Sequence, residues 1–198
     1  MSTLLVYLHG FNSSAQSNKA RLLGEYLGQR GLSHRYASHS LPHQPTRAIA
    51  IAEAAMAGRP GNEVCFIGSS LGGFYATHLA EKHRARAVLI NPAIDPHIGL
   101  RAYLGPQNNL YTGEKYLLTE ATLRQWEYLG VPRITAERYL LLVETGDEVL
   151  DYRQALDFYA GARQVVVEGG DHSLQSYPRH LPAILEFADT QVASLRQT

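Results

Sequence analysis

The 198-residue chain holds a single cysteine, Cys65, so no intrachain disulfide can form. Its place inside the apolar run "EVCFIG" fits a buried strand residue; a reactive thiol needs an accessible, electropositive setting. Neither sign of charge is in excess, with 18 Lys and Arg interspersed among 18 Asp and Glu. That balance offers no basic face to nucleic acid or an anionic membrane and marks no charged tail. No apolar run is long enough to span a membrane, and "MSTLLVYLHG" lacks both a basic leader and the apolar core of a signal peptide. A cytoplasmic enzyme or binding protein is the expectation. Also missing are internal repeats, low-complexity tracts and linkers, and the patterns G-x-x-x-x-G-K-[ST], G-x-G-x-x-G and H-E-x-x-H. With no Cys/His cluster either, no metal or organic cofactor is expected.

The residues present, 45% of them hydrophobic, suffice for one domain over 1–198 with its own core. Apolar runs at "TLLVYL" (Thr3 to Leu8), "SHRYAS", "EVCFIG", "RAVLIN" (Arg86 to Asn91), "RYLLLVE" (Arg138 to Glu144) and "RQVVVE" read as six strands. Between them "KARLLGEYLGQRG", "TRAIAIAEAAMA", "SLGGFYATHLAEKH" and "DYRQALDFYAG" carry helical spacing, and a last helix starts near Pro178. Such alternation predicts an α/β fold, a mostly parallel sheet with helices on both faces. It is interrupted from Pro92 to Ile134 by a segment with two helical stretches and no convincing strand, too long for an ordinary connection. This segment reads as an inserted helical cap. Its Tyr103, Tyr111, Tyr116, Trp126 and Tyr128 would either cover a site or pack on the core.

"GSSLG", Gly68 to Gly72, matches G-x-S-x-G between a predicted strand and a predicted helix, with Ser70 central and Ser69 variable. A nucleophile on such a strained turn needs glycine on either side, because a side chain there would meet neighbouring backbone. The following helix N-terminus favours developing negative charge. Gly73 would allow close packing of that helix.

A serine nucleophile needs a base, and the base needs an acid. Of nine histidines, His172 in "VVVEGGDHSLQ" follows the last strand in a Gly-rich loop at the carboxyl edge of the sheet, where parallel-sheet sites collect. His34, His39, His43, His83, His97 and His180 read as surface residues, and His78 as a residue of the helix after Ser70. In "LLLVETGDEVLDY", Asp147 follows the fifth strand after Gly146, with Glu144, Glu148 and Asp151 as competitors. Asp171 adjoins His172 and points away from it in an extended loop. The order Ser70, Asp147, His172 is that of an α/β-hydrolase. Oxyanion donors would be the backbone N–H groups of Leu71, after the serine, and Phe11, after His9-Gly10 at the end of strand one.

Through "LLVYLHGFNSS", "GSSLGGFYATHLA", "NPAI", "YLGPQNNLYTGEKY", "TGDEVLDYRQA" and "EGGDHS" the chain resembles the YqiA-like esterases, a family of small α/β-hydrolases. "YTGE" and "TGDEVLDYRQA" are the specific parts of the likeness. The resemblance implies a minimal three-layer fold without the superfamily's leading antiparallel strands. It also implies serine-dependent hydrolysis of carboxylic esters or acyl thioesters, with Ser70, Asp147 and His172 as triad. The alternative from another class is a catalytically silent hydrolase-fold protein that binds a ligand or partner.

Overall fold

A computed structural model describes residues 2–56 and 58–190. In chain order the elements are β1 (Leu4–Leu8), α1 (Asn18–Gly28), β2 (Tyr36–Ser38), α2 (Pro45–Ala55), β3 (Val64–Ser69), α3 (Leu71–His83) and β4 (Arg86–Ile90). There follow α4 (Pro96–Gly99), β5 (Gly105–Asn108), β6 (Lys115–Leu118), α5 (Glu120–Leu129), β7 (Tyr139–Glu144), α6 (Tyr152–Phe158), β8 (Arg163–Val167) and α7 (Tyr177–Asp189). Ala57, the last residue of the predicted second helix, lies outside the described residues.

Six strands form one sheet in the order β2-β1-β3-β4-β7-β8, every neighbouring pair parallel. The four central strands are buried along their whole length, which is why they read as unbroken apolar runs rather than alternating ones. Successive side chains still part to opposite faces. Val6, Phe66, Leu89 and Leu141 pack with residues of α2, α3, α5 and α6, while Leu5, Ile67, Val88 and Leu140 pack with α1 and α7. Cys65 sits among the latter, fully buried, and burial pushes its thiol up to about 12, which keeps it protonated.

Two expectations need correction. The segment from Pro92 to Ile134 is not purely helical: β5 and β6 pair as an antiparallel hairpin, Gly105 opposite Leu118 and Asn108 opposite Lys115. The sequence hid it because "GPQN" has no strand propensity, and Pro106 is tolerated because, among the described residues, the hairpin has no further neighbour strand. Its turn chemistry makes it instead. The Asn109 side-chain oxygen accepts from the N–H groups of Tyr111 (2.9 Å) and Thr112 (3.2 Å), and Gly113 takes φ +74°. Second, four histidines read as surface residues, His43, His83, His97 and His180, are half-buried. Three of them have side-chain partners that spacing does not reveal: Glu114 for His43, Glu53 for His83 and Ser176 for His180.

Candidate active site

Ser70 joins β3 to α3 at φ 55° and ψ −121°, a conformation that costs a non-glycine residue about 1–3 kcal/mol. The neighbours hold it there. Its N–H donates to the Ile90 carbonyl (3.0 Å), and its carbonyl accepts from Gly73 (2.9 Å) and Ala93 (3.1 Å). The flanking glycines answer to close backbone approach: a Cβ on Gly68 would stand 2.2 Å from the Gly72 carbonyl oxygen, and one on Gly72 2.0 Å from that of Leu8. Gly73 lets α3 settle on Pro92, just past β4, where a Cβ would come within 2.6 Å of the proline's own.

Of the predicted site residues, Ser70, His172 and Asp147 meet. His172 Nε2 lies 3.1 Å from Ser70 Oγ, and His172 Nδ1 lies 2.8 and 3.0 Å from the two Asp147 carboxylate oxygens. A carboxylate only accepts, so Nδ1 carries the proton and Nε2 is left to accept from the serine hydroxyl. The Asp147 side chain is buried. Burial alone would raise its pKa, but hydrogen bonds from His172 and from the N–H groups of Leu150 and Val149 (both 2.9 Å) outweigh it and hold the carboxyl below its ordinary value.

The competing acids do something else. Glu144, 1% exposed, accepts from Asp171 N–H and Gln175 N–H through Oε2 (both 2.9 Å) and from Ser176 N–H through Oε1 (2.8 Å). Burial opposes its charge, yet the bonds from Ser176, Asp171 and Gln175 prevail and its pKa is lowered. This carboxylate is thus the peg around which the His172 loop folds. Gly170, at φ +70°, makes room for it, because a Cβ there would stand 1.9 Å from Glu144 Oε2. Glu148 Oε2 accepts from the His172 N–H (3.0 Å). Asp151 caps α6 through Arg153 N–H (3.0 Å), and Asp171 bonds Ser173 rather than the histidine.

Sequence reasoning missed Asn91. Its side-chain nitrogen donates to the carbonyls of Asp171 and His172 (both 3.1 Å), and its side-chain oxygen accepts from Glu144 N–H (3.2 Å). It therefore ties the end of β4 to both the acid strand and the histidine loop. Asn at the edge of an otherwise apolar strand, beside Pro92, was the signal available. Lys19 adds a clamp from α1, donating to the Ser173 carbonyl (2.7 Å).

On the other side of Ser70, His9 is buried, and burial lowers its pKa so that the ring stays neutral. Leu41 N–H donates to Nε2 (2.8 Å), so the proton is on Nδ1, which bonds the Gly10 carbonyl (2.9 Å). In a trans peptide the N–H points opposite to the C=O. Holding the Gly10 carbonyl toward His9 therefore turns the Phe11 N–H away from it. Neither Phe11 N–H nor Leu71 N–H donates to another group among the described residues. The hairpin braces this loop: Asn109 donates to the Ser13 carbonyl (2.9 Å), and the Tyr116 hydroxyl donates to the Asn12 side chain (2.6 Å). Glu114 bonds His43 (2.8 Å), whose ring stacks on Tyr116 at 4.1 Å.

Ser70, Leu71, Phe11 and His172 all line one cavity of about 1170 Å³. The aromatic residues of the inserted segment do not share one role, and Tyr128 takes neither of the two expected. Tyr103 and Tyr111 line the cavity; Trp126 is buried and donates to the Tyr75 hydroxyl (2.8 Å); Tyr116 braces; Tyr128 faces solvent. Among the described residues no helix is long and apolar enough to cross a membrane.

Solved structures share this architecture. A protein of Agrobacterium vitis S4 aligns at 21% identity over 95% of this chain and 88% of its own, with a TM-score of 0.72. Mouse alpha/beta hydrolase domain-containing protein 10 aligns at 16% identity over 92% and 87%, with a TM-score of 0.67. Est1E of Butyrivibrio proteoclasticus, with ferulic acid bound, aligns at 16% identity over 96% and 89%, with a TM-score of 0.66. The fold is that of the α/β-hydrolases. Residues 4–189 match the profile of the uncharacterised protein family UPF0227, the YqiA-like family, and the chain belongs to it.

Proposed function

We propose that the protein hydrolyses carboxylic esters or acyl thioesters of small molecules through an acyl-enzyme. The observation that carries this reading is the hydrogen-bonded chain from Ser70 through His172 to Asp147, opening on a cavity large enough for a small-molecule substrate. In the first half-reaction Ser70 Oγ attacks the acyl carbon while its proton passes to His172 Nε2. Asp147 fixes the tautomer of His172 and stabilises the imidazolium. The N–H groups of Phe11 and Leu71 receive the oxyanion. Collapse of the tetrahedral intermediate breaks the bond to the alcohol or thiol, which leaves with the proton from His172. Water then adds to the acyl-enzyme with His172 as base, and collapse returns that proton to Ser70 and frees the acid. The fold shared with an alpha/beta hydrolase domain-containing protein and with Est1E agrees with this chemistry.

Turnover of short p-nitrophenyl esters and acyl thioesters tests the reading. Ser70→Ala is expected to lower kcat by about 10⁵ or more, the scale on which a serine nucleophile acts. A Ser70→Ala variant with undiminished turnover contradicts the mechanism. Ligand binding without turnover would favour the silent, binding-only alternative.

A further inference from the structure

The β5–β6 hairpin gives no group to the triad, yet its side chains converge on the residue that follows Phe11. Phe11 and Asn12 form a turn between β1 and α1, and Asn12 takes φ +48°, a conformation that Asn and Gly tolerate best. Its side chain is held at both ends. The Tyr103 carbonyl can only accept, so Gln107 Nε2 donates to it (2.7 Å) and Oε1 is left to accept from Asn12 Nδ2 (3.2 Å). Asn12 Oδ1 thereby meets Tyr116, whose hydroxyl donates to it (2.6 Å). One residue on, Asn109 secures the Ser13 carbonyl (2.9 Å). The Tyr116 ring is itself fixed by stacking on His43, and His43 by its bond to Glu114. Gln107, Asn109, Glu114 and Tyr116 all fall in "QNNLYTGEKY", a stretch to which the triad assigns no role.

Such a grip answers a weakness beside the nucleophile. A Cβ on Gly10 would stand 3.3 Å from Ser70 Cβ and 3.4 Å from the Ser69 carbonyl oxygen, closer than side chains ordinarily pack. Glycine admits this approach but leaves its own backbone torsions loose. The peptide between Gly10 and Phe11 carries the N–H assigned to the oxyanion, and it rotates through the ψ before it and the φ after it. It stays aimed only when both flanks are held. His9 holds one flank through the Gly10 carbonyl; Asn12 is the other. Resting on the ester-hydrolase reading and its oxyanion hole, we propose that Asn12, clamped by Gln107 and Tyr116, is a positioning residue for that hole. The hairpin of the inserted segment then sets how firmly the Phe11 N–H is aimed. Its effect falls on the tetrahedral states, where charge sits on the oxygen, and not on substrate binding.

Asn12→Gly tests this, since glycine keeps the positive φ and removes only the two side-chain bonds. On a short p-nitrophenyl ester, kcat per site titrated by a fluorophosphonate should fall about 10–100-fold with KM little changed. That is short of the roughly 10²–10³ lost with an oxyanion donor itself. A trifluoromethyl ketone supplies the readout that a merely structural role would not move. Ser70 adds to its carbonyl, and the alkoxide so formed lies where the oxyanion would, so its Ki should rise roughly in proportion as kcat/KM falls. Gln107→Leu should shift both quantities several-fold in the same direction, and it serves if Asn12→Gly does not fold. On the Asn12→Gly background neither Gln107→Leu nor Tyr116→Phe should lower kcat further, because the side chain they hold is gone. An unchanged kcat in Asn12→Gly, or a lowered kcat with the Ki of the ketone unmoved, overturns the positioning role and leaves the hydrolase reading standing. Absence of any ester turnover by the wild type overturns both.

Discussion

At the end of β3 the chain holds Ser70 by backbone alone: three main-chain hydrogen bonds and two glycines that let strand, turn and helix approach within distances a Cβ would forbid. At the end of β7 close backbone approach at Gly146 is joined by a second method. Asp147 and the His172 loop are held by side chains, with the Glu144 carboxylate and the Asn91 amide collecting N–H groups and carbonyls from residues 144 to 176. The first device is steric, so it breaks by adding atoms. The second is long-range and electrostatic, so it breaks by removing charge.

Substitutions should separate the two devices. The largest effect is expected where the second device meets the chemistry: Asp147→Asn leaves the fold in place and should lower kcat by about 10⁴, since the wrong histidine tautomer is then favoured. A greater loss in Glu144→Gln would mean that Glu144 is the acid. Next comes the steric device. Gly72→Ala, whose Cβ would meet the Leu8 carbonyl at 2.0 Å, should displace Ser70 and lower kcat by about 10² while costing at least about 3 kcal/mol in denaturant unfolding. Glu144→Gln should show the reverse balance, with about tenfold in kcat and about 3 kcal/mol of stability as the charge-assisted bonds to Asp171, Gln175 and Ser176 weaken.

The same carboxylate sets a pH dependence of stability. Its folded pKa lies below the ordinary 4.5, so the unfolded chain binds the proton more readily. Its contribution is complete above about 4.5 and is lost as pH falls through the lower folded value. Asp147 acts in the same direction. Melting temperatures of wild type and Glu144→Gln should therefore converge on acidification below that range; a constant gap would show that the charge is not what matters. The smallest effect belongs to the brace. Tyr116→Phe loses the bond to Asn12, worth about 1 kcal/mol, and should lower kcat only a few-fold with KM for short esters little changed.

This contrast also explains what the sequence disclosed. The elbow was legible because the residues that answer its constraints, wherever their contacts lie, fall within five positions, Gly68 to Gly72, and the sheet was legible because strands buried on both faces leave unbroken apolar runs. His172 and Asp147 could be placed at the right edge by topology alone. Glu144 could not be told from a competing acid, because a glutamate ending a strand reads the same whether it meets solvent or three N–H groups from residues 171 to 176. The partners of Asn91 were hidden for the same reason. The β5–β6 hairpin escaped because it is made by the Asn109 turn and by its bonds to Asn12 and Ser13, not by propensity. The tyrosines of the inserted segment have one composition but three fates, lining, bracing and solvent, which only packing assigns.

The central claim is that Ser70, and not its neighbour Ser69, is the nucleophile activated by His172. Reaction with a fluorophosphonate followed by mass mapping of the modified peptide measures this directly. The account predicts one adduct, on Ser70, lost in Ser70→Ala and strongly slowed in His172→Ala; an adduct on Ser69, or none on an intact fold, would contradict it.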